Sequence, residues 1–134
     1  MIGDIKLLEN KNVLLIDDEK YILKTLGLMF KRLKCSTELI ENRQAAVDMY
    51  KGYIDSNKKF DFVIMDLTMP GQVSCIETVN SILNLDPYAK IIACSGYSDN
   101  EIIKNYQKYG FKGKLIKPFD FDELKRELLR ISNL

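Results

Sequence analysis

The sequence predicts an α/β domain whose parallel sheet is covered by helices on both faces. Two observations lead there. Short β-rich runs alternate strictly with stretches whose apolar residues recur at helical spacing, five times in succession. The first, third and fourth runs, residues 13–16, 62–65 and 90–94, are almost continuously apolar, as strands buried on both faces must be. Such alternation implies parallel strands joined by right-handed crossovers.

The elements follow in order. Residues 13–16 form the first strand, and Ile22, Leu26, Met29, Phe30 and Leu33 then trace one helical stripe. Residues 37–40 are the second strand, and Ala46, Met49, Tyr50 and Tyr53 mark the second helix. Residues 62–65 make the third strand, followed by a stripe through Ile76, Val79, Ile82 and Leu83. After the fourth strand, residues 90–94, the fourth helix carries Ile102, Tyr106 and Tyr109, with Asp99 or Ser98 as its cap and Gly110 as its stop. Residues 113–116 are the fifth strand; the last helix presents Phe121, Leu124, Leu128 and Ile131, and Asp120 with Glu123 three residues on is a capping-box pattern. Residues before Asn10 show no clear period, so residues 1–11 are read as a lead-in or linker remnant and residues 12–134 as one domain.

Composition limits the function. A chain of 134 residues supports one core, and 46% hydrophobic with 29% charged residues is the balance of a water-soluble globular domain. No apolar stretch is long enough to span a bilayer and no signal peptide is visible, so the expected compartment is the cytoplasm, without membrane contact by this domain. Twenty basic against 19 acidic residues leave a net charge of +1, which gives no electrostatic case for direct nucleic-acid binding. Cys35, Cys75 and Cys94 are odd in number and form no C-x-x-C pair, which favours reduced, inert thiols. The chain has no histidine, which excludes Ser-His and Cys-His nucleophile pairs.

The chemistry gathers at the carboxyl ends of the predicted strands. The first apolar run ends in Asp17-Asp18 and the third in Asp66-Leu67-Thr68. Side by side in a parallel sheet, three carboxylates would converge at the edge where open α/β folds place their ligands. They repel one another and must retain a proton or hold a cation, and oxygen-only donors favour a hard ion such as Mg²⁺. With a cation present, such an edge can bind a phosphoryl group and neutralise charge as that group moves onto a carboxylate oxygen. Ser95, ending the fourth strand, offers a hydroxyl, and Lys117, ending the fifth before Pro118, a positive charge. Alone, Asp17-Asp18 would be an ordinary helix start, Ser95-Gly96 a turn and Lys117 a solvated loop residue. All of these falling at successive strand ends is what such bland readings fail to explain.

From Asn12 to Ile131 this pattern resembles the receiver domain of two-component response regulators. The resemblance implies a flavodoxin-like fold, a doubly wound five-stranded parallel sheet in order 2-1-3-4-5. It implies that Asp66 is the phosphoacceptor, Asp18 a direct Mg²⁺ ligand, Asp17 a ligand acting through water, and Asp66 and the backbone carbonyl of Thr68 the remaining protein ligands. Ser95 is similar to the family's hydroxyl switch residue and Lys117 to the lysine contacting the phosphoryl group, with a cis bond to Pro118. The sequence departs from the family where Lys114 takes a usual Tyr or Phe place, and where Ser74 and Arg43 stand in for common glycines. The segments 95–98, 109–111 and 117–120 look most like receivers at the C-terminus of hybrid histidine kinases.

The function expected is a phosphoacceptor switch that takes a phosphoryl group from a phosphohistidine on a histidine kinase or histidine phosphotransfer protein and passes the signal to an output partner. It turns over no external metabolite and is not read as an enzyme. One alternative is a metal-dependent phosphohydrolase with an aspartyl nucleophile, similar to the haloacid dehalogenase group, although Thr68 stands where those enzymes want a second acid. The other is a receiver-like interaction module that is never phosphorylated. For Lys114 the expectation is an ammonium that stays in water beside the fourth helix.

Overall fold

The computed structural model describes residues 2–134. Five parallel strands, β1 (Asn12–Ile16), β2 (Ser36–Ile40), β3 (Phe62–Asp66), β4 (Ile91–Ser95) and β5 (Gly113–Ile116), form one sheet in order β2-β1-β3-β4-β5. This is the order and class the sequence reading expects. Helices α1 (Ile2–Leu8), α2 (Lys20–Arg32), α3 (Arg43–Asp55), α4 (Cys75–Leu85), α5 (Glu101–Lys104) and α6 (Phe121–Ser132) complete it, with a 3-10 turn at Tyr106–Tyr109.

Side chains alternate across each strand, so the sheet feeds two cores. Leu14, Ile16, Val63, Met65, Ile91 and Ala93 face one way, beneath α3, α4 and α5. Val13, Leu15, Phe62, Ile64, Ile92 and Cys94 face the other, beneath α2 and α6. Every residue of β3 and β4 is buried, which is why those runs carry no polar alternation until their final Asp66 and Ser95. Edge strand β2 is only partly covered, and its sequence Ser-Thr-Glu-Leu-Ile shows it.

Helix starts are set by short polar side chains. Asn42 accepts from the Ala45 amide to open α3, Ser74 accepts from Glu77 to open α4, and Asp120 with Glu123 closes a reciprocal capping box on α6. Ser74, in a usual glycine place, therefore serves as a cap.

Two segments differ from expectation. Residues 2–8, read from sequence as part of a lead-in or linker remnant with no clear period, are helical as α1, and Leu8 is fully buried with the α2 and α6 side chains. Seven residues are too few to show a period. The predicted fourth helix is split: α5 runs for one turn, Asn105 leaves helical geometry, and the chain continues as the 3-10 turn. Its cap is Asn100, which accepts from the Ile102 and Ile103 amides, rather than Asp99 or Ser98, and Ile103 rather than Ile102 is the buried residue. The Glu101 carboxylate spans the break, accepting from Asn105 Nδ2 at 2.8 Å and from the Tyr109 hydroxyl. Gly110 then ends the turn at φ +100°; a Cβ there would lie 2.8 Å from Leu83 Cδ1, so both conformation and space require glycine.

Candidate functional site

Register brings the predicted residues to one edge. Ile16 pairs with Met65 and Asp66 with Cys94, so Asp17, Asp66 and Ser95 emerge at neighbouring carboxyl ends of β1, β3 and β4. Ser95 pairs with Ile116, which brings Lys117 to the same level, and the Lys117 amide donates to the Ser95 carbonyl at 2.7 Å. The Lys117-Pro118 peptide bond is cis, as the resemblance implies.

The centre of the site is a charge triad of two buried aspartates and a half-buried lysine. Lys117 Nζ lies 2.9 Å from Asp17 Oδ2 and 3.3 Å from Asp66 Oδ1. Asp17 and Asp66 are 2% and 5% exposed, so two carboxylates face one ammonium where water screens little. Asp66 shows the imbalance: burial and the Asp17 charge push its pKa above the usual carboxylate value, against Lys117 and the Thr68 amide. Burial works against the Lys117 ammonium, but the hydrogen bond to Asp17 and the charges of Asp66 and Asp17 outweigh it and hold its pKa above the ordinary lysine value.

The remaining residues surround this triad. Ligand oxygens of Asp17, Asp18 and Glu19 lie within 4.8 Å of one another. Glu19, which the sequence reading passed over, belongs to this acidic cluster, and its amide donates to Asp17 Oδ1 at 2.9 Å. The contiguous Asp-Asp-Glu was the available signal. Thr68 contributes a long amide bond of 3.4 Å to Asp66 Oδ1. The buried Ser95 hydroxyl is engaged with its own loop, accepting from the Tyr97 amide at 3.0 Å and donating to the Tyr97 carbonyl at 3.4 Å; no hydrogen bond joins it to Asp66 among the described residues. The neighbouring Cys94 thiol is pushed up to about 12 by burial, which suits the inert reading.

A further residue in contact with the site was weighed in the sequence only as a departure in a loop. Arg43, 3% exposed, donates from its guanidinium to the Asp66 carbonyl at 2.8 Å and to the Val73 carbonyl at 2.7 Å. Lys114 is exposed, its ammonium 5.5 Å from the Tyr106 ring centroid.

Chemically, the ligand atoms at this edge are oxygens, with more negative than positive charge at its floor and repulsion at Asp66 that Lys117 relieves only in part. That donor set, with the Asp17, Asp18, Glu19 cluster at its rim, fits a hard divalent cation. Among the described residues no helix is long and apolar enough to cross a membrane.

Comparisons with known proteins agree with this fold. The chemotaxis protein CheY of Thermotoga maritima is 32% identical over 127 residues, covering 91% of this chain and 98% of that protein. In structure, CheY in the CheX-CheY-BeF3-Mg complex of Borrelia burgdorferi superposes with a TM-score of 0.82 at 24% identity, covering 92% of this chain and 90% of that one. The receiver domain of a Pseudomonas aeruginosa sensor histidine kinase, with a magnesium ion coordinated in its active site cleft, matches with a TM-score of 0.79 at 21% identity over 93% of this chain and 99% of that one. Residues 13–129 match the family model of the response regulator receiver domain, and the chain belongs to that family.

Proposed function

We propose that Asp66 accepts a phosphoryl group from a phosphohistidine on a histidine kinase or histidine phosphotransfer protein, and that the residues around it convert this event into a changed surface. The observation that carries the reading is the triad: a buried aspartate ending β3, with an ammonium 3.3 Å away ready to stay with it as charge accumulates. In the transfer an Asp66 carboxylate oxygen attacks phosphorus, the P–N bond to the imidazole breaks, and the electron pair leaves with the histidine nitrogen, which takes up a proton. Hydrolysis of the acyl phosphate by water returns the carboxylate.

Mg²⁺, when bound, offsets the negative charge of the acidic edge and of the incoming phosphoryl group. The residues assigned to hold it are Asp18 and Asp66 directly, Asp17 through water, and the Thr68 backbone carbonyl. Lys117 keeps its contact with Asp17 and follows the phosphoryl oxygens. Ser95 turns its hydroxyl from Tyr97 towards the phosphoryl group, which frees the Tyr97 loop to move. The site acts in the cytoplasm, and the switch domain spans residues 12–134.

The test is chemical. A small acyl-phosphate donor with Mg²⁺ should add one acid-labile, hydroxylamine-sensitive phosphate, and Asp66→Asn should abolish it. Phosphate found on Ser95, or undiminished labelling of the variant, would overturn the assignment.

A further inference from the structure

Arg43 opens α3, outside the carboxylate cluster, yet it is nearly as buried as Asp17. A buried arginine is ordinarily matched by a carboxylate, because desolvating an unpaired guanidinium is costly. Among the described residues none lies within ion-pair distance of this one. Its donors go instead to backbone carbonyls, at Asp66 and at Val73, and its Nε has no partner at all. An arrangement so unfavourable for the charge needs a compensating purpose, and the place of those two carbonyls supplies one.

Asp66 is the last residue of β3, and Val73 immediately precedes Ser74, the cap of α4. Between them runs the loop 67–74, mostly exposed and anchored inward by the buried Met69. The planar guanidinium grips both ends of this loop at once, which its rigid fork of donors allows and a lysine could not reproduce. Gln72, within the loop, reinforces the grip: its Oε1 accepts from the Arg43 amide at 2.8 Å and its Nε2 donates to the Glu41 carbonyl at 2.9 Å. Four hydrogen bonds therefore strap the start of α3 to the loop that follows Asp66.

We infer that Arg43 is a positioning residue for the phosphoacceptor: by clamping the carbonyls of Asp66 and Val73 it fixes the loop 67–74, and with it the Asp66 carboxylate and the Thr68 backbone, in the geometry that Mg²⁺ binding and phosphoryl transfer require. It rests on the reading of Asp66 and Thr68 given above. Arg43 acts through the main chain and not on the Asp66 carboxylate, whose perturbing neighbours are Asp17, Lys117 and Thr68. A glycine at position 43 would leave the loop ends without these donors, so the residue that departs from the family pattern is here part of the support of the site.

The experiment compares Arg43→Ala, Arg43→Lys and Gln72→Ala with the unmutated protein and with Ile131→Val, which thins the core beneath α6 on the opposite layer of the sheet. All are measured at a temperature where each is fully folded. In the absence of metal, Arg43→Ala should speed amide hydrogen exchange in 67–74 by about tenfold or more relative to the sheet. Titration with Mg²⁺ alone should show weaker binding. Phosphorylation by a small phosphodonor at saturating Mg²⁺ should slow by about 10- to 100-fold, the scale of a small misplacement of reacting groups.

Arg43→Lys, keeping the charge without the fork, should recover only a small part of each loss. Gln72→Ala, which leaves the guanidinium in place, should show the same changes more weakly and serves if Arg43→Ala does not fold. Ile131→Val should lower the melting temperature alone. The inference is overturned if the Arg43 variants lose stability but keep loop protection and Mg²⁺ affinity, or if lysine restores both. Should the unmutated protein take no phosphate, the assignment of Asp66 fails, while loop protection and Mg²⁺ affinity still judge the clamp.

Discussion

Replacing Lys117 with methionine removes the cation that, alone among the described residues, contacts both buried aspartates, and keeps most of the side-chain volume. At separations of 2.9 and 3.3 Å each pair is worth about 5 kcal/mol of Coulomb energy at an effective dielectric of about 20, most of it offset by the desolvation of the groups. Breaking a fully buried pair costs about 3–5 kcal/mol, and the one-fifth exposure of Lys117 lets water relieve part of that. The expected loss for Lys117→Met is therefore about 2–3 kcal/mol in metal-free buffer near neutral pH, read by urea denaturation. In an Asp66→Asn background the same change should cost at least about 1 kcal/mol less, the signature of coupled neighbours. Because the raised pKa of Lys117 keeps it charged below the ordinary lysine value of about 10.4, its contribution is intact at neutral pH and is lost only as pH rises through the folded value. On the acid side the penalty should shrink as pH falls through the raised value of Asp66. Since the ammonium and a divalent cation share the same carboxylates, the variant should also bind Mg²⁺ more tightly while losing phosphorylation rate. A loss under about 0.5 kcal/mol, the range of ordinary surface changes, or a weakened Mg²⁺ affinity, would refute the reasoning.

Asp66→Asn should stabilise the metal-free fold, because burial and Asp17 disfavour the charge it removes; a carboxyl with a raised pKa loses stability as pH rises through that value, so the gain should be full at neutral pH and vanish below about pH 4. Urea curves at pH 7 and pH 3.5 test this, and a gain unchanged by pH would contradict it. Asp18→Ala should weaken Mg²⁺ binding more than Asp17→Ala, as isothermal titration can show; equal effects would refute the division between direct and water-mediated ligands. Lys114→Tyr, at an exposed position over Tyr106, should shift stability by no more than about 0.5 kcal/mol and leave Mg²⁺ affinity unchanged, and a change in either would mean that this lysine is coupled to the site.

The sheet and the charge triad were legible because each strand buried on both faces must end its apolar run abruptly, so a polar residue at that end is conspicuous. Asp66 after Phe-Val-Ile-Met, and Ser95 after Ile-Ile-Ala-Cys, stand out for that reason. What escaped is what periodicity does not encode. The break between α5 and the 3-10 turn preserves an Ile102, Tyr106, Tyr109 spacing that suits a continuous helix, and the chain departs from it through side-chain bonds of Glu101 to Asn105 and Tyr109. Arg43 escaped because its partners are main-chain carbonyls 23 and 30 residues away, and a carbonyl has no signature in a sequence. An arginine in the first turn of a helix reads as surface until the loop that covers it is in place.

These parts divide the labour at the site. Lys117 answers to charge, since its two contacts are carboxylates whose protonation and ligation change in use, whereas Arg43 answers to shape, since the carbonyls it holds carry the same partial charge in every state. On the proposed reading, phosphorylation of Asp66 would add negative charge beside Lys117, while the loop behind Asp66 stays strapped to α3. The displacement would then be directed away from that strapped loop, towards Ser95, whose hydroxyl is held by bonds of 3.0 and 3.4 Å to Tyr97. Beyond it lie the exposed Tyr97 and the single-turn α5, a segment short enough to reorganise at small cost. A rigid β3 side and a yielding β4 side would give the added charge one direction in which to act, and Lys114, facing water next to Tyr106, keeps the far end of that path polar.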